Sequence, residues 1–391
     1  MRKLLWLSLS VCFVMIMAAF LMPNIKRVNS LPDEMVVTYQ DVQQANKLDE
    51  YSSFINLELP KNINVSNNGE KIMYRIGVDL GGTNIAVGLV NEDFQIVCKK
   101  SAPTGAERAP EAIVADMAML CKAVCADANV KMENVASIGI ATPGTVNCEM
   151  GVVTYANNLP FRNFPLVSLL SQALDGKKIY VENDANAAAW GEAVAGAAKG
   201  TKISVMVTLG TGVGGGIIID GKVYSGSNGA GGELGHMVIE HNGRPCSCGR
   251  RGCWEAYSSA TGLIRMTKEK IEECKKNGTK TLMSDYVEKD GRITGRTSFD
   301  AMRAGDTAGK EVVDLYLSYL ETGLINLINV FQPEVISLVG GVSNEGQSLL
   351  DAILPKIQES QYGGINSSST QIRIAKLKND AGIVGAAVLG I

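Results

Sequence analysis

The chain has no basic tract. Its 37 Lys and Arg are outnumbered by 40 Asp and Glu, and the formal net charge is −3. No stretch can track a phosphodiester backbone, so nucleic acid is excluded as a partner. Two common nucleotide signatures are also missing. No glycine loop carries Gly-Lys-Ser/Thr into a helix, as a Walker loop requires, and none opens onto a helix as a dinucleotide-binding fingerprint does. The cysteines lack the paired C-x2-C ribbon spacing, and no small-x-small cleavage motif follows the N-terminal apolar run.

What is present is the balance of a soluble α/β protein with a large core, 46% hydrophobic and 20% charged residues. The 391 residues suffice for about two domains. Glycine numbers 42, much of it in short clusters, which implies close approach of backbone to ligand.

The first 72 residues stand apart. Leu4 to Met22 is uncharged and long enough to span a bilayer once, and a polar, Asn-rich segment follows it. The flanking charges balance and assign no orientation. Two readings stand on equal terms: a membrane tether at 4–22, or a start at Met73, directly ahead of the strand-like "YRIGVDL".

That strand runs into Gly81-Gly82-Thr83-Asn84 and returns as "IAVGLV", a hairpin whose N–H groups can face an anion. Asp79, at the end of the first strand, is placed to hold Mg²⁺ through water beside phosphates. The design returns at 203–219, where Gly210, Thr211, Gly212 and Gly214 form the turn. A repeated hairpin suggests a duplicated domain with a phosphate site between the halves. In "PEVISLVGGVS" a third strand ends in Gly340-Gly341, a pair that lets backbone lie flat against adenine or ribose.

"IYVENDANAAAWGEAVAG" predicts a strand breaking at Asn183-Asp184 into a helix. There the dipole and open N–H groups favour an ionised Asp184, a carboxylate able to take a proton from an attacking hydroxyl. Glu233, His236 and Glu255 stand near glycine-rich turns and can hold sugar hydroxyls. His236, Cys246, Cys248 and Cys253 supply four N/S donors in 18 residues, as a closed tetrahedral site needs. A disulfide would leave one of the three clustered cysteines over, and Cys246–Cys248 would close a strained ring. The six scattered cysteines (Cys12, Cys98, Cys121, Cys125, Cys148 and Cys274) are expected to be inert core residues.

The run "DLGGTN", "ENDANAAAWGE", "GELGH", "CSCGRRGCWEAY", "LVGGVS" and "DAGIVGAA" resembles the repressor/open-reading-frame/kinase (ROK) family from Met73 to Ile391, and most of all its bacterial ATP-dependent glucokinases. The resemblance implies an actin/hexokinase-like α/β fold of two ribonuclease H-type domains flanking a cleft. These are a small domain at 73–188, joined by the C-terminal helix at 380–391, and a large one at 189–379. It implies Asp184 as catalytic base for the sugar 6-hydroxyl, with Gly144, Asn183, Glu233, His236 and Glu255 on the sugar. The phosphates of ATP would lie on Gly81, Gly82, Thr83, Asn84, Gly210, Thr211, Gly212 and Gly214, and the adenosine on Gly340-Gly341. The cysteine cluster matches ligand for ligand and implies structural Zn²⁺ that carries His236 and Glu255 to the sugar. Other hexoses of the family (N-acetylmannosamine, N-acetylglucosamine, mannose, fructose) share the same hydroxyl contacts, although "NLPFRNFPL" leans to glucose. The family's repressors carry an N-terminal winged helix-turn-helix, for which 1–72 offers no basic recognition helix, and the intact base argues against a non-catalytic sensor. A cytoplasmic homodimer or homotetramer is the further expectation.

Overall fold

The computed structural model describes residues 73–364 and 370–391; the tether and start-site readings of 1–72 lie outside the described residues. The chain opens with three antiparallel strands, β1 (Tyr74–Leu80), β2 (Asn84–Val90) and β3 (Ile96–Pro103). Helix α1 (Pro110–Asp127) leads to β4 (Val135–Thr142). A small sheet of β5 (Thr145–Asn147), β6 (Val152–Tyr155) and β7 (Arg162–Phe164) comes next, then α2 (Leu166–Ala173) and β8 (Ile179–Asn183). The main sheet has the order β3-β2-β1-β4-β8, with β8 parallel to β4.

After α3 (Asp184–Ala195) the plan repeats. Strands β9 (Ser204–Leu209), β10 (Val213–Ile219) and β11 (Lys222–Val223) are antiparallel. Helices α4 (Glu255–Ser258), α5 (Ala260–Lys276), α6 (Leu282–Asp290), α7 (Thr297–Arg303) and α8 (Thr307–Phe331) precede β12 (Val335–Val339), α9 (Gln347–Ser360) and β13 (Gln371–Ile374), and α10 (Ala381–Ala387) ends the chain. The second sheet runs β11-β10-β9-β12-β13, with β12 parallel to both β9 and β13. Each sheet thus sets its own strands in the order third, second, first, fourth, fifth, as the repeated hairpin predicts.

Both sheets are built from apolar runs that bury their side chains, Ile76, Val78 and Leu80 in the first and Val205, Val207 and Leu209 in the second. The terminal helix α10 lies with its backbone on the first sheet. A Cβ on Gly77 would sit 1.8 Å from the Ile383 carbonyl oxygen, and one on Gly139 1.7 Å from that of Ala386. Only glycine allows this approach. Helix α3 touches both halves: Gly385 of α10 meets the Ala187 carbonyl, while Gly216 of β10 meets the Ala189 methyl. At its far end the fully buried Glu192 accepts hydrogen bonds from the N–H groups of Ala197 (2.6 Å), Lys376 (3.1 Å) and Leu377 (2.7 Å). These bonds fasten α3 to the segment that enters α10. Among the described residues no helix is long and apolar enough to cross a membrane.

Candidate active site

Strand β8 ends where the sequence places the break. Asn183, rather than Asp184, is the capping residue; its Oδ1 accepts the N–H of Ala185 at 3.0 Å and of Asn186 at 3.2 Å. Its Nδ2 donates to the Gly144 carbonyl at 3.1 Å, so two of the expected sugar-side residues are joined directly. Gly144 itself has φ of +104°, and a Cβ there would meet the Tyr155 carbonyl at 2.1 Å.

Asp184 is the first helical residue, and its Oδ1 accepts the Ala185 N–H at 2.9 Å. Burial holds its carboxyl above the ordinary carboxylate range, and the hydrogen bonds from the helix start only partly offset this. The dipole and open N–H groups of the helix start favour the ionised form, but desolvation outweighs them. Asp79 behaves alike. Burial first, and the charge of Asp184 second, raise its carboxyl to about 6 against a pull downward from Lys99.

In the first hairpin Gly81 N–H closes the turn onto Asn84 O at 2.9 Å, while Thr83 and Asn84 are exposed. Thr104 braces the loop from behind, its hydroxyl donating to Gly81 O at 2.7 Å and its N–H to Thr83 O at 2.8 Å. Gly82 lies against Asn158, at the start of the segment that leans to glucose in the sequence reading. In the second hairpin Gly210 N–H bonds Gly212 O at 3.1 Å and Gly214 N–H bonds the Thr208 hydroxyl at 2.9 Å. Thr211 stands exposed at the tip. Gly340, with φ of +105°, packs on the Leu209 backbone and so comes up beside this second hairpin, while Gly341 faces open space.

The turn holding Glu233 and His236 backs onto the same hairpin: a Cβ on Gly235 would lie 2.0 Å from Val213 O. Glu233 is exposed. Glu255 opens α4 and points at the hairpin too, Oε2 accepting the Val213 N–H at 3.0 Å. Its Oε1 lies 3.4 Å from the Ser247 hydroxyl and 3.8 Å from Cys246 Sγ.

His236, Cys246, Cys248 and Cys253 bring one ligand atom each within 4.8 Å of one another. His236 Nδ1 and Cys246 Sγ are 3.6 Å apart, and Cys248 and Cys253 Sγ 3.7 Å. A tetrahedral Zn²⁺ with bonds of about 2.3 Å to sulfur and 2.0–2.1 Å to nitrogen sets these separations at about 3.6 and 3.8 Å. The donor set and its spacing therefore fit that ion, whereas a disulfide needs sulfurs about 2 Å apart. Gly249 and Gly252, at φ of +88° and +81°, make the turns within this cluster. Trp254, next to the last ligand, is fully buried and anchors the loop to α8. Its Nε1 donates to Tyr319 O at 3.0 Å, and its ring fills the space left by Gly323.

The model of the ROK family matches residues 75–391. The chain belongs to the ROK family. The glucokinase of Halalkalibacterium halodurans is 36% identical to this ROK protein over 311 residues, 79% of this chain and 92% of that one. A ROK family glucokinase from Streptomyces griseus, solved with glucose and AMPPNP, superposes with a TM-score of 0.65 at 34% identity, covering 81% of this chain and 98% of that one. The ROK hexokinase of Thermus thermophilus gives a TM-score of 0.66 at 31% identity over 81% and 97% of the two chains. The fold of this ROK protein is accordingly the two-domain, actin/hexokinase-like α/β fold.

Several supporting residues have no signal in the sequence. Glu182, buried beside the cap, accepts the Asn183 N–H at 2.9 Å and the Asn186 side-chain amide at 3.2 Å. Cys148 donates to Glu182 Oε2 at 3.3 Å and is an exposed residue, not the core residue expected. Desolvation of its thiol beside Glu182 and the charge of that carboxylate push it up to about 12, which disfavours the thiolate. Cys121, Cys125 and Cys274 are buried, Cys98 is half-buried, and Cys12 lies outside the described residues.

Proposed function

We propose that this ROK protein is a glucokinase, transferring the γ-phosphoryl group of ATP to the 6-hydroxyl of glucose. The observation that carries the reading is the placement of Asp184. A half-buried carboxyl with a raised proton affinity opens the helix that touches both sheets, and its neighbour Asn183 is tied to Gly144. A base of this kind takes the sugar proton while positioning and charge stabilisation do the rest of phosphoryl transfer. Asn183, Gly144, Glu233, His236 and Glu255 hold the ring. Gly81, Gly82, Thr83, Asn84, Gly210, Thr211, Gly212 and Gly214 lie along the phosphates, and Gly340 and Gly341 along the adenosine.

Mg²⁺ accompanies ATP and screens its phosphate charge, and Asp79 is the carboxylate that would hold its water shell. His236, Cys246, Cys248 and Cys253 would hold a structural Zn²⁺; all four positions are taken by protein, so the ion orders the loop and is no Lewis acid for sugar. Residues 73–188 with 380–391 form the small domain and 189–379 the large one. Their closure over the sugar excludes water as a competing acceptor. The chain works in the cytoplasm, as a homodimer or homotetramer, in keeping with the family resemblance and with a Cys/His cluster that would need reduced thiols to hold its metal.

The test is ATP-dependent phosphorylation across a hexose panel. Glucose should give the highest kcat/KM among glucose, mannose, fructose, N-acetylmannosamine and N-acetylglucosamine. A higher value for any of the others reassigns the substrate, and no transfer to any of them removes the kinase reading.

A further inference from the structure

Residues 255–261, just past Cys253, reach the second glycine hairpin at three points. Val213 N–H donates to Glu255 Oε2 at 3.0 Å, Ala260 N–H to Gly210 O at 2.8 Å, and the Thr261 hydroxyl to Thr211 O at 2.8 Å. These contacts cover the hairpin from its first glycine to the start of β10, while the outer side at Gly210 is open: a Cβ there would meet nothing within 4 Å. Gly212 is the counterpart of the clamp, since a Cβ on it would lie 2.3 Å from Glu255 Oε2. The other side of the same segment is fixed to the metal loop. Cys253 is one of the four clustered donors, Trp254 is buried against α8, and Glu255 Oε1 lies within reach of Ser247 and Cys246.

We propose that residues 255–261 form a clamp that sets the phosphate hairpin in its nucleotide-binding shape, with Thr261 as a positioning residue for ATP. The proposal rests on the kinase reading of the hairpin and extends it. The metal loop then organises the nucleotide side of the site as well as the sugar side. An exposed threonine whose hydroxyl holds the tip carbonyl of a glycine-rich turn removes freedom that the loop would otherwise lose on binding phosphate. The Thr211 carbonyl, once released, lets the tip sample shapes in which its N–H groups no longer converge.

Thr261→Val keeps the volume and deletes the hydroxyl; Thr261→Ser keeps the hydroxyl. Equilibrium binding of AMPPNP to the full chain should weaken about three- to tenfold in Thr261→Val and return to within about twofold of wild type in Thr261→Ser. KM for ATP should rise in parallel with little change in kcat or in KM for glucose. Cys253→Ser, measured with Mg²⁺ in excess, should weaken AMPPNP binding at least as much as Thr261→Val. Unchanged AMPPNP affinity in Thr261→Val, or an equal loss in Thr261→Ser, overturns the clamp. Wild-type protein that binds AMPPNP yet phosphorylates no hexose sinks the kinase reading alone, and the AMPPNP comparison still decides the clamp.

Discussion

Asp184 raises the proton affinity of Asp79, its charge being second only to burial in holding that carboxyl near 6. The folded state therefore binds the Asp79 proton more tightly than the unfolded state does. Between the ordinary carboxylate range and pH 6 the folded chain holds more protons, so this contribution to stability is present at low pH and is lost as pH rises through that window. Asp79→Asn removes the penalty. At pH 7.5 and without nucleotide the variant should be more stable by about 1–3 kcal/mol in urea unfolding, while KM for MgATP rises. A variant no more stable than wild type at pH 7.5 would show that the carboxyl is not raised.

The same pair predicts the pH–rate profile. Asp184 must be ionised to take a proton, and burial holds it above the usual carboxylate range. The acid limb of kcat/KM should fall away at a higher pH than an ordinary aspartate would give. Asp184→Asn should lower kcat by about 10²–10⁴-fold with glucose affinity largely kept. Turnover close to wild type would remove Asp184 from the role of base.

Loss of the metal loop should be felt by the sugar. Cys253→Ser removes one of four ligands, and metal analysis should find the ion gone. KM for glucose should rise about 10–100-fold through His236 and Glu255. A glucose KM that stays put while the zinc is lost would separate the ion from sugar binding.

The glycines beneath α10 can be tested without touching the site. Gly139→Ala puts a methyl 1.7 Å from the Ala386 carbonyl, so either β4 or the helix must move. Overpacking of this kind costs about 1–3 kcal/mol or more, readable as a lower urea midpoint. A midpoint equal to wild type would mean that the helix does not rest on this strand.

The local parts of this molecule were legible and the long-range ones were not. Two apolar strands around a glycine turn announce a hairpin from sequence alone, and the break at Asn183-Asp184 does the same for β8 and α3. The cysteine cluster was legible because its ligands span only 18 residues. In contrast, Glu192 reads as one more helical carboxylate; only the fold reveals that residues 376 and 377 bring their N–H groups to it. Gly323 reads as a flaw in a long helix until Trp254 is seen to fill it. The proton affinity of Asp184 was misjudged for a related reason. The dipole can be read from the next few residues, whereas burial depends on the whole chain.

The seat of α10 has a consequence for how the protein is made. A Cβ on Gly382 would lie 2.6 Å from Asp79 Oδ2, so a carboxyl of β1 is walled by a residue of α10. Everything from Arg75 to β8 is made early, and α1 packs on one face of its sheet, yet the face carrying Gly77 and Gly139 lacks its helix until residues 381–387 are made. The later-made half can complete its own core first. A chain halted before residue 381 would leave that face of the first sheet bare, and exposed apolar surface of this kind invites aggregation.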